Sequence, residues 1–481
     1  TGTNIAGTIY GGNKADVTGN TLNVNTNATA GNIQNFGKLQ FNLNSNALTQ
    51  STPMLRLSAS GGTNNLDWRT LDVNAEKFNA PIKTYEAYNL VLMENGNGIS
   101  FQQGATNTYT VGGGVKSTTS GDFEFTIDTA NSSVSSTQVT AAGYKFKNHD
   151  ASYNEVAPHA EAWAGRTNIG NTVKDNTLTV TGGNVTTAAY GGLVINNKLG
   201  ATTGDAENNK IVVNGTANVA DAYGAQVRTK DGNATKNSAE ITGGTVNNNV
   251  YGASLAAANA TGTADKSKVD ISGSANITGD VYGGHIAQAN ATGTITNSEV
   301  NISGGTVNGA VYGGYHAGSG NATGGTLSIS GGNVGGAIYG NHANAGNAMD
   351  ATINITGGTL HDVYGGFANG SGKTTGNTVN LGTETTAFTA TSVGTIYGGN
   401  KAEATDNTLN VNSRGAGATD VKNFENVNFD VAHNVSHGDT MLTLTNGANT
   451  SIDWSKMKLK NLDAITASPT SDHILTLLDS A

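Results

Sequence analysis

The chain has 481 residues, among them 67 Gly, 4 Pro and no Cys, with 12% charged residues and a formal net charge of −10. That composition excludes a disulfide framework and a thiolate metal site. Five arginines (Arg56, Arg69, Arg166, Arg228 and Arg414) leave no basic footprint for nucleic acid. No apolar run reaches the about 18 residues of a membrane-spanning helix, and isolated Val, Ile and Tyr without helical spacing predict an almost all-β fold.

Residue 1 is Thr and no charged-then-apolar leader follows, which predicts a mature product or a fragment. The segment GTIYGGNKADVTGNTLNVN at 7–25 nearly recurs as GTIYGGNKAEATDNTLNVN at 394–412. Weaker echoes follow: Asn35-Phe36 with Asn423-Phe424, Leu66-Asp67-Trp68 with Ile452-Asp453-Trp454, and Leu92-Met93-Glu94 with Leu477-Leu478-Asp479, so a unit repeats after roughly 386 residues. Residues 1–25 are therefore expected to be the last coil of a preceding unit.

Residues 26–100 follow as a β module without the regular repeat, and 413–481 as its partial second copy. Leu39-Gln-Phe41-Asn-Leu43 and Met441-Leu-Thr-Leu-Thr are strands that continue or cap the stack. Residues 101–165 form a β-rich connecting section. It holds strands at Phe123-Glu-Phe125-Thr-Ile127 and Tyr144-Lys-Phe146, and a short helical turn at Ala160-Glu-Ala-Trp163-Ala.

The informative stretch is 166–412. Tyr-Gly recurs at Tyr190, Tyr223, Tyr251, Tyr282, Tyr312, Tyr339, Tyr364 and Tyr397, at intervals of 33, 28, 31, 30, 27, 25 and 33 residues. Such periods mark a solenoid or a propeller, and about 30 residues is short for a four-stranded blade. An alternating apolar pair precedes most of these tyrosines, as in Val269/Ile271/Gly273, Val300/Ile302/Gly304 and Ile353/Ile355/Gly357, and reads as a strand with one buried face. A further apolar residue (Val185, Val219, Val246, Ile277, Val307, Val334, Leu360) lies between pair and Tyr, giving three short strands per coil. No coil can bury its inward side chains alone, so about eight coils stack as a parallel β-helix, right-handed by the chirality of parallel crossovers. Length variation is confined to the arm that follows each Tyr, with polar tips such as Asn259-Ala-Thr-Gly262 and Asn290-Ala-Thr-Gly293.

Short Val/Ile strands, Gly-Gly turns, Asn/Thr-rich loops, VYGG at 311–314 and 363–366 and the absence of Cys resemble bacterial autotransporter passengers and related large surface adhesins. The resemblance implies a β-solenoid passenger, exported through a C-terminal outer-membrane barrel and used in adhesion, aggregation or biofilm formation. No barrel segment is visible in this sequence.

Four chemical readings compete with a purely structural one. His285, His316 and His342 follow Tyr282, Tyr312 and Tyr339 by three or four residues and are candidates for surface recognition or a metal-binding column. Leu193, Gln226, Ser254, Tyr315 and Phe367 occupy the same offset, so a turn position that tolerates varied side chains explains them as well. Asp205, Glu207, Lys210, Arg228, Lys230 and Asp231 lie in adjacent arms, where a polysaccharide lyase or hydrolase would need an acid and a base; solvated loop tips are the plainer reading.

The tyrosines suit either a sugar-stacking platform or a ladder in the stack, and the ladder is favoured. An ice-binding face would need a regular Thr-x-Thr array, and the Thr residues scatter along the sequence. Neither a catalytic centre nor a cofactor is expected, and no calcium-binding Gly-Gly-x-Gly-x-Asp array occurs.

The expected function is a non-catalytic secreted protein of the bacterial cell surface. It would be a stalk or adhesin whose partners are surface glycans, surface proteins or copies of itself, with no nucleic acid and no membrane insertion by this segment. The alternatives are a self-assembling extracellular fibre or surface-layer subunit, and a polysaccharide-degrading β-helix enzyme.

Overall fold

A computed structural model describes residues 3–14, 19–44, 53–59, 62–64, 71–77, 88–95, 99–101, 124–134, 138–146, 151–153, 158–167, 172–195, 202–383, 385–401, 405–431, 435–446, 451–452, 454–462 and 474–480. The chain is all-β, with only a 3-10 turn at Trp454–Lys456 among its named elements. It divides into two compact units: Thr1–His149 with short pieces at 165–169 and 197–200, and the remainder to Ala481.

The larger unit is a parallel β-solenoid of about 12 turns. Its first strand of each coil is the alternating pair, and the rungs run Ala151, Leu178, Ile211, Ala239, Val269, Val300, Leu327, Ile353, Val379, Leu409, Val427 and Met457. The eight Tyr-Gly coils are thus the middle of a longer stack. A second ladder joins Val185, Val219, Val246, Ile277, Val307, Val334 and Leu360, all buried, as their spacing predicts. The third joins the eight tyrosines from Tyr190 to Tyr397 in one register.

Each regular coil from 173 to 349 has a fourth strand, where sequence reading expects three. Val173, Ala206, Ala234, Ala264, Ile295, Ala322 and Ala348 form a buried ladder inside the arms. These strands are two or three residues long and mostly carry Ala, too little apolar surface to read as a strand.

A single corner links the arm strand to the pair strand. Its first residue has positive φ in the nine coils from Asp175 to Asp406: Asp175, Asn208, Lys236, Lys266, Asn297, Gly324, Asp350, Gly376 and Asp406. Lys at 236 and 266 shows that stacking over-determines this corner, because a left-handed conformation is unfavourable for such a side chain.

The second corner residue builds an internal asparagine ladder. Asn237 Oδ1 accepts from both Asn209 N and Asn209 Nδ2 at 2.9 Å, while Asn237 Nδ2 donates to Ala206 O at 2.9 Å. Asn377 and Asn407 repeat the pattern, with Asn407 Oδ1 accepting twice at 3.0 Å. Between them the column holds Ser267, Ser298, Gly325 and Ala351. In the Gly325 coil the amide comes from the opposite strand: Asn341 Nδ2 donates to Met349 O at 2.9 Å, and a Cβ at Gly325 would lie 2.6 Å from Asn341 Oδ1.

The segment Ala160–Ala164, expected as a helical turn, lies within the strand His159–Thr167 and joins the solenoid sheet. Backbone pairing with the neighbouring rung outweighs the weak local preference of its Ala residues for helix.

The smaller unit repeats the end of the larger one in structure as well as in sequence. Leu22↔Leu39 and Val24↔Phe41 match Leu409↔Val427 and Val411↔Phe429. Ala28↔Leu55↔Met93 match Ala416↔Leu442↔Leu478. Asn35 and Asn423, with φ of 59° and 58°, each donate Nδ2 at 2.8 Å to the carbonyls of Gly12 and Gly399. The strands expected at 123–127 and 144–146 fall in Glu124–Val134 and Gln138–Phe146, which pair as an antiparallel hairpin that in turn pairs with Tyr88–Asn95. Leu66–Trp68 and Asp453 of the echo lie outside the described residues.

Candidate functional site

Outward-facing side chains repeat from rung to rung of the solenoid, so among its described strands they form columns. On the tyrosine strand the columns follow from the Gly-Gly step. A Cβ at Gly283 would lie 3.2 Å from the Ser298 side chain, and one at Gly284 only 2.5 Å from Ser298 Oγ. Both glycines therefore face the interior, and the residues on either side of them, Tyr282 and His285, emerge on the same outer face.

The first column on this face is the tyrosine stack, buried at Tyr190, Tyr223 and Tyr251 and half-buried from Tyr282 to Tyr397. Its rings lie 4.4 to 5.2 Å apart, with interplanar angles from 3° to 19°. Arg228 lies 5.9 Å from the Tyr190 ring at one end and Lys422 5.9 Å from Tyr397 at the other, within cation–π range. Each interior ring has both faces covered by its neighbours. A sugar ring has no aromatic face to stack on there, which disfavours the platform reading.

The hydroxyls meet a turn ladder two residues upstream. Tyr282 donates to Asp280 Oδ2 at 3.0 Å and Asn249 Nδ2 donates to Tyr251 Oη at 3.1 Å, whereas Tyr190 Oη accepts from Arg228 of the next coil at 3.0 Å. Asp221, Asn249, Asp280 and Asp362 also accept the backbone N–H of the following coil at 2.7 to 3.0 Å. Burial and then the Asp221 carboxylate push Tyr251 up to about 12, and burial and then the neighbouring Tyr397 do the same to Tyr364. These phenols stay protonated at any physiological pH.

The second outer column is aromatic too. His285, Tyr315, His342 and Phe367 stack with centroids 5.6, 4.8 and 5.0 Å apart and set their edges against the tyrosines. Ser254 Oγ lies 3.1 Å from His285 Nδ1.

The three histidines therefore do not form one column. His316, one residue further along its strand, is in register with Ile286 and Ala343 and is fully buried. Its Nδ1 accepts from Gly318 N at 2.9 Å and its Nε2 lies 2.9 Å from Gly293 O, which fixes a neutral tautomer. Burial pushes all three imidazoles down, with His316 adding to the effect on His285, and His342 falls to about 4. Among the described residues no group of three or more His, Asp or Glu side chains is placed to hold a metal ion.

The candidate acid–base residues are dispersed. Asp205 Oδ1 accepts from Asn233 N at 2.8 Å in an arm turn, and Asp231 accepts from the Thr261 hydroxyl at 2.8 Å, which holds its carboxyl below the usual range. Lys210 pairs with Glu240 at 2.5 Å on the pair-strand face, and Arg228 lies beside the tyrosines. Glu207 and Lys230 are exposed. Asp205, Lys210, Arg228 and Asp231 each make a contact along the stack, and among the described residues no two of the six pair with each other through their side chains.

Sequence reading misses a second pair of columns, on the pair strand. One runs Thr177, Lys210, Ser238, Lys268, Glu299, Thr326, Thr352, Thr378 and Thr408, and the other Thr179, Val212, Glu240, Asp270, Asn301, Ser328, Asn354, Asn380 and Asn410. The recurring T-Φ-S/N-Φ strands at 326–329, 352–355, 378–381 and 408–411 are the signal that could have found it. No helix among the described residues is long and apolar enough to cross a membrane. Comparison with protein-family models, with curated proteins and with solved structures finds no match.

Proposed function

We propose that the chain is a non-catalytic, secreted protein of the bacterial surface, a repeat-built stalk that attaches to surface glycans or proteins, or to copies of itself. The observation that carries the reading is the contrast between constant rungs and variable arms. From Leu178 to Tyr364 the pair, central and tyrosine ladders keep nearly constant spacing, whereas coil length changes mainly in arms with exposed tips at Asn259, Gln288, Asn290 and Asn369; the exception is the longer segment between Leu381 and Thr395. Repeated tips on a stiff rod suit multivalent contact, where weak single interactions add through effective concentration. The dispersal of the carboxylates favours this reading over the polysaccharide-cleaving one. The autotransporter-like export route belongs to the same proposal.

Attachment of the purified chain to bacterial and host-type cells tests it. A variant carrying Asn259→Lys, Asn290→Lys and Asn369→Lys is expected to lose at least about tenfold in attachment, the loss of several weak contacts at once. No attachment by the parent chain, or polysaccharide cleavage abolished by Asp205→Ala with Asp231→Ala, would overturn the reading.

A further inference from the structure

The pair-strand face is divided along its length. From Lys210 to Glu299 it is charged and internally paired: Lys210 with Glu240, and Lys268 with both Asp270 and Glu299 at 3.2 Å. From Thr326 to Asn410 the same two columns carry no ionisable group at all. The neutral stretch comprises four rungs, Thr326/Ser328, Thr352/Asn354, Thr378/Asn380 and Thr408/Asn410, with no register slip at these positions. Rung spacing makes it about 14 Å long.

Its amides are held in a fixed direction. Asn380 Nδ2 donates to Asn354 Oδ1 at 2.7 Å, Asn410 Nδ2 to Asn380 Oδ1 at 2.7 Å, and Asn428 Nδ2 to Asn410 Oδ1 at 2.8 Å. An amide has two N–H donors and two carbonyl lone pairs. The ladder uses one of each at Asn380, so a second donor and acceptor remain there. The Thr326, Thr352, Thr378 and Thr408 hydroxyls are half-buried and have no hydrogen-bond partner among the described residues. Beside each ordered amide stands a hydroxyl with its donor and acceptor capacity unused.

We infer that the Thr326–Asn410 face is a binding surface for an uncharged polysaccharide chain lying along the solenoid axis. Sugar hydroxyls both donate and accept, and so do the groups left over on this face. The repeat of a few ångströms between rungs presents the same pair of groups again and again, as a polymer of like sugars requires. The two columns themselves carry no charge, and the Lys460 amine reaches the face at its Asn410 end, 3.4 Å from Asn410 Oδ1, so most of the face offers nothing to anionic polymers or nucleic acid, and no apolar side chain is offered to a membrane. The inference rests on the attachment reading above but uses a different face from the arm tips.

The test is titration of the full chain with dextran, yeast mannan and a soluble β-glucan, with alginate as the anionic comparator. At least one neutral polymer should bind and alginate should not. Thr352→Lys with Thr378→Lys should weaken that binding at least about tenfold, because charge and bulk then interrupt the repeated contacts. Lys already occupies this column at 210 and 268, so the variant retains the fold, and Thr177→Lys on the same column outside the stretch serves as a control with unchanged binding.

Binding of alginate as strongly as the neutral polymers, no binding of any neutral polymer, or binding unchanged in the double variant would each overturn the inference. A dimer in sedimentation that only the double variant abolishes, without polysaccharide binding, would assign the face to a second copy instead. Loss of cell attachment in the arm-tip variant with polysaccharide binding intact leaves this inference standing, so the two proposals fail separately.

Discussion

Asn237→Ala is expected to destabilise the coils around it by about 3–5 kcal/mol, because each buried polar group left without a partner costs about 1–3 kcal/mol. The substitution removes the acceptor for Asn209 N–H and the donor for Ala206 O at once, and both Asn209 and Asn237 are fully buried. Water cannot replace what is lost without opening the corner. In a stack, stability is a sum of coil and interface terms, so the loss is local. Amide exchange should accelerate in the coils from 206 to 271 and remain unchanged near Thr378–Leu381. Asn237→Ser should cost less, since the same column accepts Ser267 and Ser298. Uniform acceleration along the whole solenoid would contradict the local ladder account.

The second large effect is on acid stability. In the unfolded chain an imidazole titrates near its ordinary value of 6.5, whereas burial holds His342 at about 4 in the fold. Between those values the unfolded chain binds the proton and the folded chain does not, so stability is complete above pH 6.5 and falls as the pH drops towards 4. One unit is about 1.4 kcal/mol, which makes the contribution of this residue up to about 3 kcal/mol.

His342 Nδ1 is buried without a hydrogen bond, and the ring lies flat between Tyr315 and Phe367. His342→Phe keeps that stack and removes both the unpartnered nitrogen and the titration. The variant is expected to be more stable than the parent at pH 7 and to lose markedly less on going to pH 4. The remaining acid slope belongs to His285, His316 and the carboxylates. Equal acid losses in parent and variant, read by thermal unfolding, would refute the assignment.

The parts of this fold legible in the sequence are those where one residue type repeats at one offset. The tyrosine, pair and central ladders qualify, because each position must present the same apolar shape to its neighbours above and below. The corner with positive φ does not, since Asp, Asn, Lys and Gly share a conformation there but no side-chain chemistry. The arm ladder is hidden for a related reason, as Ala206 or Ala234 says little about burial until its position three residues before the internal Asn or Ser column is known.

His316 is grouped with His285 and His342 by spacing alone. The Gly-Gly step makes an offset of three from Tyr point outward and an offset of four point inward, and spacing read without that step merges the two. The Thr/Asn face is missed because its members are dispersed in sequence. Only the rung register brings Thr326, Thr352, Thr378 and Thr408 into line.

That register is the central claim, and the absence of native cysteine allows a direct measurement of it. Parallel rungs place the Thr352 and Thr378 Cα atoms about 4.8 Å apart, inside the range of about 4.4–6.8 Å that a disulfide spans. The diagonal pair Thr352 and Asn380 is about 7–8 Å apart. Under mild oxidation, the variant with Thr352→Cys and Thr378→Cys should close an intramolecular disulfide nearly completely, while Thr352→Cys with Asn380→Cys should remain reduced. Cross-linking of the diagonal pair in preference to the direct one, or of neither, would contradict the stack described above.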